Sequence, residues 1–211
     1  VSSPAQTDDA FVTSTPAETF KTLAYCYGTY RGVAGGGNYN WNDPCTDAEY
    51  YPEYNSGNGR NGFLQPTENG VDKMKSQFNN LYSILARCAR IANIIADKEE
   101  YKSAVEANKV NDWTQLHGEA MTLWAYCYYE LVRHYGDVPY GIENSIVEES
   151  TLTSRFDILD NLIAVLKEVE THMYDLGEGG ITAERMSRTF ANHLIGEAAL
   201  LSGGYQTIRK D

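Results

Sequence analysis

The chain has 211 residues, 42% of them hydrophobic, and a formal charge of −12 at pH 7. That length suits one domain or one and a half. The acidity, without any Lys/Arg cluster, argues against nucleic acid or an anionic membrane surface as a partner, and no stretch approaches the roughly 18 apolar residues that a membrane helix needs.

Residues 1–15 read as an extended leader. The chain opens at Val1 in a polar, Pro-containing stretch with neither a signal peptide nor a lipidation cysteine, so it reads as a mature or trimmed form. Pro16 suits a first helical position, and Phe20, Leu23, Tyr27 and Tyr30 continue at helical spacing to about Arg31. Composition then changes abruptly. Residues 34–70 are rich in Gly, Asn and aromatic residues and show no apolar period. A loop of that length inside a compact domain is usually functional.

Helical period returns over 71–97, through Phe78, Leu81, Leu85, Cys88, Ile91, Ala92 and Ile95. The next helix is the strongest of the chain. Leu116, Ala120, Leu123, Cys127 and Leu131 form one face, and Asp112 with Gln115 three residues later predicts a capping box at its start. Trp124, Tyr126, Tyr128, Tyr129 and Tyr135 ring it, so more than one face is expected to be covered. Gly136 can take the positive φ that stops it, and Pro139 keeps it from resuming and holds Val138 extended. After a linker, Ser154 caps a helix carrying Phe156, Leu159, Ile163, Leu166, Val169 and Met173, stopped near Gly177. Ser187 caps a last one with Phe190, Leu194, Ala198 and Leu201. Helix starts recurring every roughly 30 to 45 residues are the rhythm of stacked helical hairpins. The expected fold is all-α, a single domain over 1–211 in which tetratricopeptide-like hairpins (71–211) carry long irregular loops.

The aromatic loop holds the binding candidates: Tyr39, Asn40, Trp41, Asp43, Tyr50, Tyr51, Tyr54, Asn55 and Arg60. A sugar ring has an apolar C–H face, which a flat aromatic ring covers, and a rim of hydroxyls, which amides, carboxylates and guanidinium groups bond. The competing reading is that these rings fold inward to pin the loop.

Other chemistry has thin support. Asp43, Asp47, Glu49 and Glu53 could suit calcium, but without EF-hand spacing a solvated acidic loop is the preferred reading, and no metal is assigned. Glu148/Glu149 and Glu168/Glu170 read as solvated faces, and His117, His134, His172 and His193 as structural residues on helices. The glycine clusters 35–37 and 177–180 lack the strand and the Lys-Ser/Thr of a phosphate loop. Cys26, Cys88 and Cys127 fall on apolar helix faces as small hydrophobes. Cys45, in the loop, could pair only if the fold brought another cysteine close.

The wording of the strongest helix goes beyond its period. Glu119-Ala120, Ala125-Tyr126, Leu131-Val132 and the exit Tyr135-Gly136-Asp137-Val138-Pro139 resemble the SusD-like (RagB/SusD) nutrient-binding outer-membrane lipoproteins. Tyr82 and Leu85 fit the family's preceding helix, and residues 187–205 look like the one that ends in Gly-x-Tyr. Two positions depart: Cys88 stands where Asn is expected, and Trp124 where Arg is usual. The resemblance runs over roughly residues 16–211 and implies the N-terminal portion of a longer protein. It implies a non-enzymatic, cofactor-free lipoprotein held at the outer-membrane surface through an upstream cysteine absent from this chain. Such a protein captures oligosaccharide for a SusC-type TonB-dependent transporter. Alternatives are a peptide-binding member of the same family, or a helical-repeat scaffold for protein partners.

Overall fold

The structure is a computed structural model that describes residues 13–35, 68–141 and 151–204. Its helices are α1 (Pro16–Val33), α2 (Glu68–Ala96), α3 (Glu99–Glu106), α4 (Asp112–Tyr135), α5 (Arg155–Glu170) and α6 (Arg188–Gly203). Two short strands, β1 (Val138–Pro139) and β2 (Leu152–Thr153), pair antiparallel with Val138 opposite Thr153. The fold is all-α, built of stacked, tetratricopeptide-like hairpins.

Side-chain pairs give each helix its direction. Phe78 meets Tyr135 and Tyr82 meets Tyr128, so α2 runs against α4. Tyr27 reaches Glu119 and Tyr30 packs on Tyr126, so α1 runs with α4 and against α2. Arg155 meets Asp137 at one end of α5, while Tyr174, just past its other end, meets Gln115; α5 therefore runs against α4. Tyr126 contacts Phe190 and Tyr129 contacts Glu197, so α6 runs with α4. The C-termini of α1, α4 and α6 thus share one end of the bundle with the N-termini of α2 and α5.

Helix starts are fixed by side-chain caps. Thr15, Ser154 and Ser187 accept the N–H groups of Glu18, Phe156 and Phe190. At α4 the cap is Asn111, not Asp112. Asn111 Oδ1 accepts the Thr114 N–H at 2.9 Å, and Thr114 Oγ1 accepts the Asn111 N–H at 2.9 Å. Asp112 becomes the first helical residue, where its charge suits the helix dipole, and Gln115 is released for use in the interior.

The core is continuous from Leu23 through Leu81, Ile84, Leu85 and Ile95 to Leu123, Trp124 and Leu131, then Ile158, Leu159, Leu162 and Leu166. Each such side chain contributes about 1.5–3 kcal/mol on leaving water. Cys26, Cys88 and Cys127 are buried free thiols within it. Cys88 and Trp124, the two departures, are both core residues, 0% and 1% exposed. Most of α4 from Trp113 to Val132 is buried, because helices pack on several of its sides.

Two further expectations change. Helix α3 was not predicted; it follows α2 after a break at Asp97–Lys98. Helix α5 ends at Glu170, so Met173 and His172 lie in the turn beyond it. Met173 is still buried, because Gly118 makes room: a Cβ there would stand 2.6 Å from its sulfur and closer still to its Cγ.

Short α3 docks through Tyr101, whose ring lies 4.7 Å from that of His117 and whose hydroxyl is 3.3 Å from its Nδ1. Burial, and then the neighbouring His172, lowers the pKa of His117 to about 4 from 6.5. The unfolded chain therefore takes up this proton first as pH falls. The contribution of a neutral His117 is complete above pH 6.5 and is progressively lost towards pH 4, by up to about 3 kcal/mol. In His117→Gln, urea unfolding should show a flatter acid limb between pH 6.5 and 4; an unchanged slope would contradict this assignment.

Candidate functional site

The predicted ligand residues Tyr39, Asn40, Trp41, Asp43, Tyr50, Tyr51, Tyr54, Asn55 and Arg60 lie outside the described residues, as do Cys45, Asp47, Glu49, Glu53, Glu148 and Glu149. What the structure does describe is how their segment attaches. Gly35 ends the α1 side and Glu68 begins α2, and the antiparallel pairing of α1 and α2 puts both at the same end of the bundle. Gly141 and Thr151, which flank a second connection, join them there through β1 and β2.

That end is built on aromatic rings. Phe78 packs on Tyr82 at 4.7 Å between centroids and on Tyr135 at 5.2 Å. Tyr128 lies 4.8 Å from Trp124 and 4.9 Å from Tyr140. The hydroxyls tie down the backbone leaving α4. Tyr82 donates to the Pro139 carbonyl at 2.6 Å, and Tyr128 Oη exchanges two longer hydrogen bonds with the Gly141 backbone. Desolvation raises the pKa of Tyr82, Tyr128 and Tyr140 and pushes Tyr135 up to about 12, so all four stay neutral at physiological pH.

The Tyr-Gly-Asp-Val-Pro exit thereby acquires a physical account. Gly136 takes φ +77°, ending α4. Asp137 accepts the Arg155 N–H at 3.0 Å, at the start of α5. Val138 is buried and pairs with Thr153, and Pro139 offers its carbonyl to Tyr82. Every residue of the exit has a structural task, so this stretch sets the frame from which the two connections depart.

At the opposite end lies a polar centre that was not predicted. Glu119, 0% exposed, accepts two hydrogen bonds from Arg185, through Nε at 3.2 Å and through Nη2. Tyr27 Oη donates to Glu119 at 2.9 Å and accepts the Met186 N–H at 2.9 Å. Gln115 Nε2 donates to Glu119 and to the Met186 carbonyl, both at 3.1 Å, while its Oε1 accepts the Tyr174 N–H at 2.8 Å. The guanidinium of Arg185 also lies over the Phe20 ring at 4.3 Å. Burial, then the Glu119 charge, raises the pKa of Tyr27, which keeps its proton for this bond. The network clasps the turn between α5 and α6 to α1 and α4. Part of its signal was present in the sequence: Gln115, Glu119 and Thr122 recur at i, i+4 and i+7 as a polar stripe on α4.

Above this network is a groove of about 270 Å³, lined on its polar side by Asp112, Gln115, Tyr174 and Arg185 and on its apolar side by residues including Phe20 and Ile181. The other residues singled out earlier are structural. Glu170 pairs with Arg188 at 2.9 Å, and His134 lies 3.3 Å from the buried Glu130. Among the described residues no group of three or more His, Cys, Asp or Glu is placed to hold a metal ion, and no helix is long and apolar enough to cross a membrane.

Comparison with known proteins adds three findings. The family model described as SusD-like, "Starch-binding associating with outer membrane", matches residues 17–159. No curated protein matches. Among solved structures, a SusD-like carbohydrate-binding protein from Bacteroides fragilis NCTC 9343 is 20% identical with a TM-score of 0.48, covering 62% of this chain and 24% of that one. Surface glycan-binding protein A from Bacteroides fluxus is 22% identical with a TM-score of 0.46, covering 59% of this chain and 25% of that one. The chain spans about a quarter of the length of these two structures.

Proposed function

We propose, on the premise that this chain belongs to the SusD-like family, that it is part of a cell-surface protein that captures oligosaccharide and hands it to a TonB-dependent outer-membrane transporter. No bond is made or broken in this reading. The observation that carries it is the family match over residues 17–159, which includes both the aromatic segment and all of α4. The arrangement of the bundle supports it. The helix ends that flank residues 36–67, Gly35 and Glu68, lie together at one end of the scaffold.

A lipid anchor upstream of this chain, and a transporter that the protein covers as a lid, belong to the same proposal. Specificity would come from the spacing of Tyr39, Trp41, Tyr50, Tyr51 and Tyr54, with Asn40, Asp43, Asn55 and Arg60 bonding the hydroxyl rim. The test is a glycan array followed by calorimetry on the best oligosaccharide. Trp41→Ala and Tyr54→Ala should each weaken binding severalfold while leaving the thermal midpoint unchanged. Unchanged affinity in both would remove this segment from the site, and an empty array would favour a peptide ligand.

A further inference from the structure

The groove at the far end of the bundle has a composition of its own, and we propose that it is a second carbohydrate contact, taking a single neutral pyranose ring. This inference rests on the glycan-binding reading for its ligand class but involves none of the residues on which that reading depends.

Because α1 and α4 run parallel, their first turns lie side by side. Pro16, Ala17 and Phe20 form one wall and Asp112 and Leu116 the other, and the turn between α5 and α6 closes the groove with Tyr174, Ile181 and Arg185. Its volume of about 270 Å³ lies at the lower limit of small-molecule sites, which run from about 300 to 1,000 Å³. That is room for one ring rather than for a length of chain. Phe20 and Tyr174 supply flat apolar surface. Asp112 is exposed at the rim and can accept hydroxyl protons. Arg185 gives Nε and Nη2 to Glu119, which leaves Nη1 to donate.

Two features select the ligand further. The Arg185 charge is matched by Glu119, so Asp112 leaves the groove negative on balance, which disfavours uronates and other anions. The floor is rigid as well. All the bonding capacity of the Gln115 amide used here goes to Glu119, Met186 and Tyr174, so Gln115 holds the site rather than touching the sugar. Tyr174 is fixed by Gly179, whose φ is +54° and where a Cβ would come within 2.5 Å of the ring. A side chain at 179 would displace that ring and strain the turn that carries it.

The experiment uses the chain with glucose, galactose, mannose and N-acetylglucosamine as one-ring probes, glucuronate as the charged control, and backbone amide chemical shifts as the readout. At least one neutral probe should shift the signals of Phe20, Tyr174 and Arg185 with a millimolar Kd. Asp112→Ala should weaken that binding fivefold or more while the thermal midpoint moves little, and Gly179→Ala should weaken it as far while lowering the midpoint by a few degrees, because it places a β-carbon at positive φ. Trp41→Ala should leave it unchanged. The proposal is overturned if no neutral probe shifts these signals, if both groove variants bind as the parent does, or if glucuronate binds more tightly than every neutral sugar. Oligosaccharide binding that persists without any one-ring binding would sink the groove and leave the main site standing. One-ring binding lost in Asp112→Ala, in a chain that binds no oligosaccharide, would establish the groove and remove the other.

Discussion

Replacing Glu119 by alanine is expected to cost about 3–5 kcal/mol, the usual price of breaking a buried ion pair from one side. The loss is spread over several groups. Arg185 keeps its charge without a counter-ion, the Tyr27 hydroxyl loses its acceptor, and one Gln115 hydrogen bond vanishes. For a domain of this size the thermal midpoint should fall by roughly 10 °C. Arg185 is one-quarter exposed and can turn partly to water when Glu119 is removed, whereas Arg185→Ala leaves the fully buried Glu119 with only Tyr27 and Gln115 as donors, so Arg185→Ala should cost at least as much. The double variant Glu119→Ala/Arg185→Ala should cost clearly less than the sum of the two single changes. A Glu119→Ala protein within 1 kcal/mol of the parent in urea unfolding would show that the network is incidental to the fold.

The second large effect is expected at Trp124. Its ring is 1% exposed and lies against Tyr128 and Tyr140 at 4.8 and 5.8 Å. Truncation to alanine should cost about 3–5 kcal/mol, since a cavity opens where the surrounding rings can close in only partly. Trp124→Phe should recover more than half of that. The damage should also be local: Tyr140 would lose its contact and the pairing of Val138 with Thr153 would loosen. Amide hydrogen exchange at Val138, Tyr140 and Gly141 should therefore accelerate more than exchange within α5. Uniform acceleration would mean that Trp124 supports the whole bundle rather than the exit from α4.

The helical frame was legible because most helices bury one apolar stripe and begin at a side-chain cap. Pro16, Ser154 and Ser187 mark starts that the structure keeps. Helix α4 was over-determined, by period, by a glycine stop and by a proline. The errors have physical causes. Asn111 and Asp112 are adjacent and both are good caps; what decides is Thr114, whose hydroxyl can return the bond to Asn111, an exchange that the Asp112–Gln115 pattern concealed. Helix α3 has eight residues and one buried alanine, too few for a periodic signal. Met173 looked helical because it is apolar at the right spacing, yet it reaches the core from a turn through the gap left by Gly118. Glu119 was read as part of a family spelling. Its partner Arg185 is 66 residues away in an irregular turn, and local spacing cannot announce a pair of that kind. The aromatic candidates in 36–67 lay where period vanishes, so composition alone pointed to them.

The parallel course of α1, α4 and α6 has a consequence for how such a protein can diversify. Register between the helices is set by side-chain contacts such as Phe78 with Tyr135 and Tyr30 with Tyr126, all between fixed elements. The connections at Gly35–Glu68 and Gly141–Thr151 leave and re-enter at one end. Exchange of either segment for another of different length leaves those contacts in place. The bundle therefore keeps its register whatever lengths the two connections take, because the contacts that set it lie within the helices.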